Sequence, residues 1–272
     1  MLETAYAKLN LALHVRRRRA DGYHELETLF AFLDDGDRLS AAPAADFSLT
    51  LTGPFAQGLS TGADNLVLRA ARMLAQHAGI ATGAAFTLDK RLPVAAGIGG
   101  GSADAAAALR LLARLWGVTA DGLRPADIAA QLGADVPACI ASQTCFGTGV
   151  GEVLVPVGGA GLAGAAVLLV NPLVACPTGP VFKAWDGIDR GALDPGGWMQ
   201  GRNDLEAPAI GLHPEIAAVL AALRETGPRC ARMSGSGATC FALFDHADQR
   251  DAAARQLAAR QPRWWQMCGR FR

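Results

Sequence analysis

Lysine is scarce in this chain. Lys8, Lys90 and Lys183 are the only three in 272 residues, and none follows a glycine. A Walker phosphate loop needs Gly-Lys before Ser or Thr and is therefore excluded. The dinucleotide fingerprint is missing too, because the position three after the second glycine is Ser102 or Asp104 in either register of the Gly97 to Gly101 run. Net charge is absent as well: 25 basic residues balance 25 acidic ones, so no overall field recruits nucleic acid or an anionic membrane. The six cysteines are scattered without a Cys-x-x-Cys pair, which points to reduced, mostly buried thiols rather than a disulfide frame. No apolar run reaches membrane-spanning length, and the amino terminus lacks a basic region followed by an apolar stretch, so a soluble cytosolic protein is expected. Internal repeats are not evident.

What is present is 51% hydrophobic and 18% charged residues, enough for a sizeable core in one large or two modest domains. The most informative segment is Leu92-Pro-Val-Ala-Ala-Gly-Ile-Gly-Gly-Gly-Ser-Ala-Asp104, a glycine-rich loop leading straight into a helix. Alanines and the spacing of Leu109, Leu112 and Trp116 predict a helix over 102–116, with Ser102 as its cap and Gly117 as its stop. A helix start presents unpaired N–H groups and the positive end of the macrodipole, so phosphate binds there without many cationic side chains. Glycines at 97, 99, 100 and 101 let the backbone approach closely.

Along the chain, Ala5 to Val15 alternates as a strand, Arg16 to Gly22 reads as a solvated hairpin end, and a second run covers Tyr23 to Leu33. Asp64 and Asn65 precede an amphipathic helix that closes at Gly79. A strand near Ala85 to Leu88 enters the glycine loop through Lys90. A short helix near Pro125 to Leu132 is followed by Gly133-Ala-Asp-Val-Pro137, where helix is expected to stop. Asp104 reads as an acid near the helix start, favourable to the dipole. Gly158 to Gly164 is the linker expected between two domains, 1–158 and 159–272. Beyond it come a strand over 165–170, a helix over 214–223, the Ser234-Gly-Ser-Gly-Ala238 turn, a strand over 239–244 and a helix over about 247–260.

Four ordered motifs, Ala7-Lys-Leu-Asn10, the loop from Pro93 to Asp104, Gly133-Ala-Asp-Val-Pro137 and Ser234-Gly-Ser-Gly-Ala238, together resemble the GHMP small-molecule kinases over nearly the whole chain. The resemblance implies an α+β, two-domain kinase with an N-terminal nucleotide-binding domain, a C-terminal domain and an active site in the cleft between them. It implies ATP as phosphate donor, Mg²⁺ as its partner and a small-molecule alcohol as acceptor. The matching positions make Asp135 the base and Lys8 the charge stabiliser near the acceptor oxygen. The phosphates fall to Gly97, Gly99, Gly100, Gly101 and Ser102 with Pro93 at the loop entrance, and the adenine end of ATP to Asn65 and Lys90. Asn10 shares the face of Lys8. Ala20-Asp-Gly-Tyr-His24 with Thr178 and Phe182 resembles the branch whose acceptor carries a cytosine ring, stacked by Tyr23 and Phe182 and read at its edge by His24, while Ser234, Gly235 and Gly237 complete the site. No Mg²⁺ ligand set is legible. Rival readings are a homoserine or mevalonate kinase, which needs no cytosine pocket, a non-catalytic nucleotide-binding descendant, which would not need both Lys8 and Asp135, and a nicotinamide oxidoreductase, which the failed fingerprint opposes.

Overall fold

The computed structural model describes residues 1–118, 125–158 and 161–272. They form two compact units, each assembled from separate stretches of chain. The expected boundary at 158/159 lies at Gly159, outside the described residues.

The first unit contains Met1–Ala7, Asp35–Val94 and Gly99–Ser142. Its elements are the first residues of β1 (Leu2–Arg18), the later part of β2 (His24–Ala44), β3 (Ser48–Thr52), α1 (Leu66–Ala78), β4 (Gly83–Asp89), α2 (Gly100–Trp116), α3 (Pro125–Leu132) and α4 (Val136–Ala141). β4 pairs antiparallel with Arg38 to Ala44 of β2 and parallel with β3. α1 begins where Asn65 accepts a hydrogen bond from the Val67 N–H and ends at left-handed Gly79, both as expected from its caps. α2 packs between α1 and α4. It buries Ala103 and the run from Ala105 to Leu109, and these small side chains allow close helix approach.

The second unit contains Lys8–Asp34, Ala95–Ile98 and Gln143–Arg272. It holds the β1–β2 hairpin tip, β5 (Cys145–Thr148), β6 (Val153–Pro156), β7 (Ala166–Asn171), α5 (Thr178–Lys183), a 3₁₀ turn at Trp198–Gln200, α6 (Glu206–Leu212), α7 (Glu215–Glu225), β8 (Cys230–Met233), β9 (Cys240–Phe244), α8 (Ala247–Arg260) and β10 (Trp265–Arg270). A four-stranded antiparallel sheet runs β10-β7-β9-β8. Its central strands, Ala166–Asn171 and Cys240–Phe244, are buried on both faces, hence their continuous apolar runs. Ile216, Val219, Leu220, Leu223 and Leu257 from α7 and α8 pack over them, each worth about 1.5–3 kcal/mol when fully buried.

Two local expectations are corrected, the start of α2 and the end of the second strand. α2 starts two residues early: left-handed Gly99 is its N-cap and Ser102 lies inside the first turn, because glycine adopts φ +63° without a side-chain clash. α3 stops at Leu132, ahead of Pro137 as expected, and Pro137 stands in the first turn of a further helix, α4, where a proline has no intrahelical N–H to forfeit. The second run does not end at Leu33 but continues as strand through Asp-Asp-Gly-Asp to Ala44. Gly36 is required because a Cβ there would lie 1.9 Å from the Ala5 carbonyl oxygen of the neighbouring strand.

Candidate active site

In the second unit, the tip of the glycine loop is tied to two other motifs. The Lys8 N–H donates to the Ile98 carbonyl at 3.1 Å, and the Thr239 N–H to the Ala96 carbonyl at 3.1 Å. Ser234 Oγ donates to the Gly97 carbonyl at 3.0 Å and accepts from the Asn10 N–H at 3.1 Å. Gly97 has φ +73°, and a Cβ on it would lie 2.4 Å from the Ser234 carbonyl oxygen, so only glycine fits. Gly235 has φ +56° and also approaches closely, a Cβ on it lying 2.9 Å from the Gly97 carbonyl oxygen. Gly237, at φ +90°, stands in the same turn, beside Met233 and Ile216. Lys8, Asn10, the loop tip and the Ser234 to Gly237 turn are thus one construction.

Lys8 is 3% exposed, not solvent-facing as an isolated strand lysine would be. Its Nζ donates to Asn10 Oδ1 at 2.8 Å and lies 5.3 Å from the centroid of the Phe30 ring. Asn10 Nδ2 donates in turn to Thr28 Oγ1 at 2.8 Å, and Thr28 donates to the Ala12 carbonyl at 2.7 Å. This relay fixes the Asn10 amide with its oxygen toward the lysine.

In the first unit, the helix end of the loop carries the N–H groups of Gly100, Gly101 and Ser102, which lack intrahelical partners by their position. Lys90 lies directly behind it, 3% exposed, donating to Asp37 Oδ2 at 2.5 Å and to Asp104 Oδ2 at 2.6 Å. A Cβ on Gly100 would sit 3.1 Å from the same ammonium. Asp37 Oδ1 also accepts from the Arg91 and Leu92 N–H groups, so one carboxylate holds the chain entering the loop, where Pro93 is buried, and Asp104 holds the chain leaving it. Burial works to lower the Lys90 pKa, but the two carboxylates outweigh it and leave it raised. Burial pushes Asp104 up to about 7, and the charge of Asp37 adds to this against the pull of Lys90. Among the described residues Asp104 Oδ1 has no hydrogen-bond partner. Asp104, near the start of α2, is therefore a buried member of a charged cluster. Lys90, expected at the adenine, has its ammonium engaged by two carboxylates. Asn65, expected there too, caps α1 and donates from Nδ2 to the Ser60 carbonyl at 2.8 Å.

Asp135 is half-buried at the start of α4, and its carboxylate makes no capping bond to the helix. The preceding Gly133 backbone lies against Ser102, whose Oγ would be 4.0 Å from a Cβ at 133. The Asp135 segment and the start of α2 therefore lie close together in the first unit. Arg110 secures the far end of α4 by donating to the Cys139 carbonyl at 2.6 Å while pairing with Glu3 at 2.9 Å.

At the hairpin tip of the second unit, Tyr23 is 63% exposed while His24 is buried. The His24 ring lies 5.0 Å from Phe182 and 5.7 Å, edge-on, from Trp185. Burial, and next the charge of Arg18, hold the His24 pKa below its usual value. Thr178 Oγ1 and Ser236 Oγ are 3.0 Å apart, which joins the start of α5 to the Ser234 turn. The structure thus brings His24, Phe182 and Thr178 into the unit that holds Lys8. Asp37, Thr28, Trp185 and Arg18 were missed from sequence. For Asp37 the available signal was a third aspartate within four residues.

Residues 65–143 match the GHMP kinases N terminal domain and residues 191–263 the GHMP kinases C terminal domain. A 4-diphosphocytidyl-2-C-methyl-D-erythritol kinase of Rhizorhabdus wittichii is 58% identical over 99% of this chain and 94% of its own length. The chain belongs to the GHMP kinases. A second relative of the same name, from Sphingopyxis alaskensis, is 55% identical over 100% of this chain and 99% of its own. Among solved structures, a 4-(cytidine 5'-diphospho)-2C-methyl-D-erythritol kinase superposes on this GHMP kinase with TM-score 0.85 at 36% identity, covering 100% and 99% of the two chains. Homoserine kinase from Cytophaga hutchinsonii, at 17% identity and TM-score 0.72 over 98% and 95%, shares the fold. The α+β, two-domain GHMP architecture is the one expected from the motifs, and the protein is an ATP-dependent kinase of a small molecule. No helix among the described residues is long and apolar enough to cross a membrane.

Proposed function

We propose that this kinase transfers the γ-phosphate of ATP to the 2-hydroxyl of 4-diphosphocytidyl-2-C-methyl-D-erythritol, a cytidine diphosphate-linked methylerythritol, in non-mevalonate isoprenoid precursor synthesis. The observation that carries the reading is the 58% identity, over 99% of the chain, to a kinase of that name. The aromatic setting of His24 supports it, since a cytosine needs a stacking face and an edge reader. Tyr23 and Phe182 would supply the faces, and Thr178 would line the same side.

In this reading Asp135 takes the proton of the attacking hydroxyl, a contribution typically of about 10²–10⁴ in rate. Lys8, oriented by Asn10, stabilises the negative charge that forms on the acceptor oxygen. The amides of Gly99, Gly100, Gly101 and Ser102 hold the phosphates at the helix start, and Gly97 shapes the loop against Ser234. Among the described residues no cluster of three His, Cys, Asp or Glu could cage a metal, and Asp104 is turned into Lys90. Mg²⁺ commonly uses one or two protein oxygens together with phosphates and water. The Ser102 hydroxyl would be such an oxygen. When bound, Mg²⁺ neutralises charge on the transferring phosphates. A cytosolic location belongs to the same proposal, because both substrates are charged metabolites.

The test is ATP-dependent turnover of the cytidyl compound by purified protein with Mg²⁺, beside homoserine and mevalonate. Turnover of the cytidyl compound alone is expected, and preference for another acceptor would remove the cytosine pocket from the reading. Asp135→Asn should lose at least about 100-fold in kcat while still binding ATP. Wild-type turnover by a folded Asp135→Asn protein would remove the base assignment.

A further inference from the structure

Four consecutive arginines close the hairpin beside His24, and three of them meet carboxylates. Arg16 pairs with Asp189 at 3.2 Å, Arg17 with Glu25, and Arg19 with Asp21 at 2.9 Å. Arg18 instead donates from Nε to His24 Nε2 at 3.2 Å. A guanidinium has no accepting atom and stays protonated in proteins, so Nε2 must be the accepting nitrogen of the ring. The imidazole is then neutral with its proton on Nδ1. Phe182 and Trp185 pack against that ring, one tilted and one edge-on.

We propose that Arg18 is a specificity-determining positioning residue: it locks His24 as an Nδ1–H donor and so makes the pocket accept cytosine and reject uracil. The inference rests on the reading of His24 as the reader of the base edge. Cytosine offers lone pairs at N3 and O2, whereas uracil carries a proton on N3. A histidine free to exchange tautomers could turn an accepting Nδ1 toward uracil N3–H. With Nε2 held by Arg18, that tautomer would set an N–H on the ring against an N–H on the guanidinium. The lowered His24 pKa accords with this, since a second ring proton would meet the same donor. Discrimination thus arises from a residue that need not touch the base.

The experiment measures kcat/KM for the cytidine diphosphate-linked substrate and its uridine diphosphate-linked analogue in wild type, Arg18→Met, Arg18→Gln and His24→Ala, with ¹⁵N chemical shifts of the His24 ring reporting the tautomer. Arg18 is on an exposed hairpin, so its variants should fold. Arg18→Met should reduce the cytidine-to-uridine ratio by about tenfold or more, the scale of one mismatched hydrogen bond, leave KM for ATP unmoved and show a mixture of tautomers. Arg18→Gln, which retains an N–H donor, should recover most of the ratio. An unchanged ratio in Arg18→Met, with His24→Ala weakening the cytidine substrate, would overturn the role of Arg18 and leave the cytosine reading standing. If His24→Ala also changes nothing, the cytosine reading fails and the inference with it.

Discussion

The protein's two glycine-rich turns are held by opposite means. The helix end of the Gly97 to Gly101 loop rests on three charges, one ammonium between two carboxylates, all nearly sealed from water. The Ser234 to Gly237 turn rests on neutral groups: Asn203 Nδ2 donates to the Met233 and Gly235 carbonyls, each at 2.8 Å, and the Ser234 hydroxyl reaches Gly97. A buried charge without its partner is costly, so the first arrangement is stiff and depends on every member. The second fixes the backbone through hydrogen bonds worth about 0.5–1.5 kcal/mol each and contains no group that titrates near neutrality. Two ionised carboxylates against one lysine would leave a net negative charge, and the raised pKa of Asp104 relieves it.

Removing the charge at the centre of the first turn should have the largest effect. Lys90→Met leaves Asp37 and Asp104 buried against each other, and chemical denaturation should show a loss of about 3–5 kcal/mol. Next comes a steric test of the neutral turn. Gly97→Ala drives a Cβ into the Ser234 carbonyl and should cost about 1–3 kcal/mol, with weakened ATP binding. If Gly97→Ala were neutral, the close contact between the turns would be wrong. Ser234→Ala strips the hydroxyl from the buried Asn10 N–H and should cost about 1–3 kcal/mol, with no dependence on pH.

The finest distinction is the pH dependence itself. Asp104 has its pKa raised from 3.8 to about 7 in the folded protein, so between those values the native state holds a proton that the unfolded chain has released. Its contribution is full below about pH 4 and is lost as pH rises to about 7. Stability of Asp104→Asn, measured by denaturant unfolding from pH 4 to 8, should fall less steeply across that window than wild type. Parallel curves would mean that the carboxyl is ionised throughout and that the contrast between the two turns is one of geometry alone.

Much of this was legible in advance because it is governed locally. Asn65 and Gly79 bound α1 through a side-chain cap and a left-handed residue, and both features are visible in a few consecutive residues. α8 occupies Ala247–Arg260, the span its alanine content suggests. By contrast β8 and β10 were not foreseen, for Cys230–Met233 and Trp265–Arg270 are short and carry no turn-bounded alternation, and pairing with β9 and β7 makes them strands.

The sequence by itself determined that a glycine loop opens onto a helix start and which family the ordered motifs belong to. The reasons are short in range: glycine's φ freedom and the unpaired N–H groups of a first turn act within a dozen residues. Only the tertiary structure decided that Lys90 serves as the centre of a buried clasp, because its partners lie 53 and 14 residues away and nothing near it in sequence requires them. The same holds for Ser234, which meets Asn10 across 224 residues, and for His24, which meets Phe182 and Trp185 from α5 and just beyond it. Burial, which turns these polar side chains into stiff supports, exists only once the chain has closed around them.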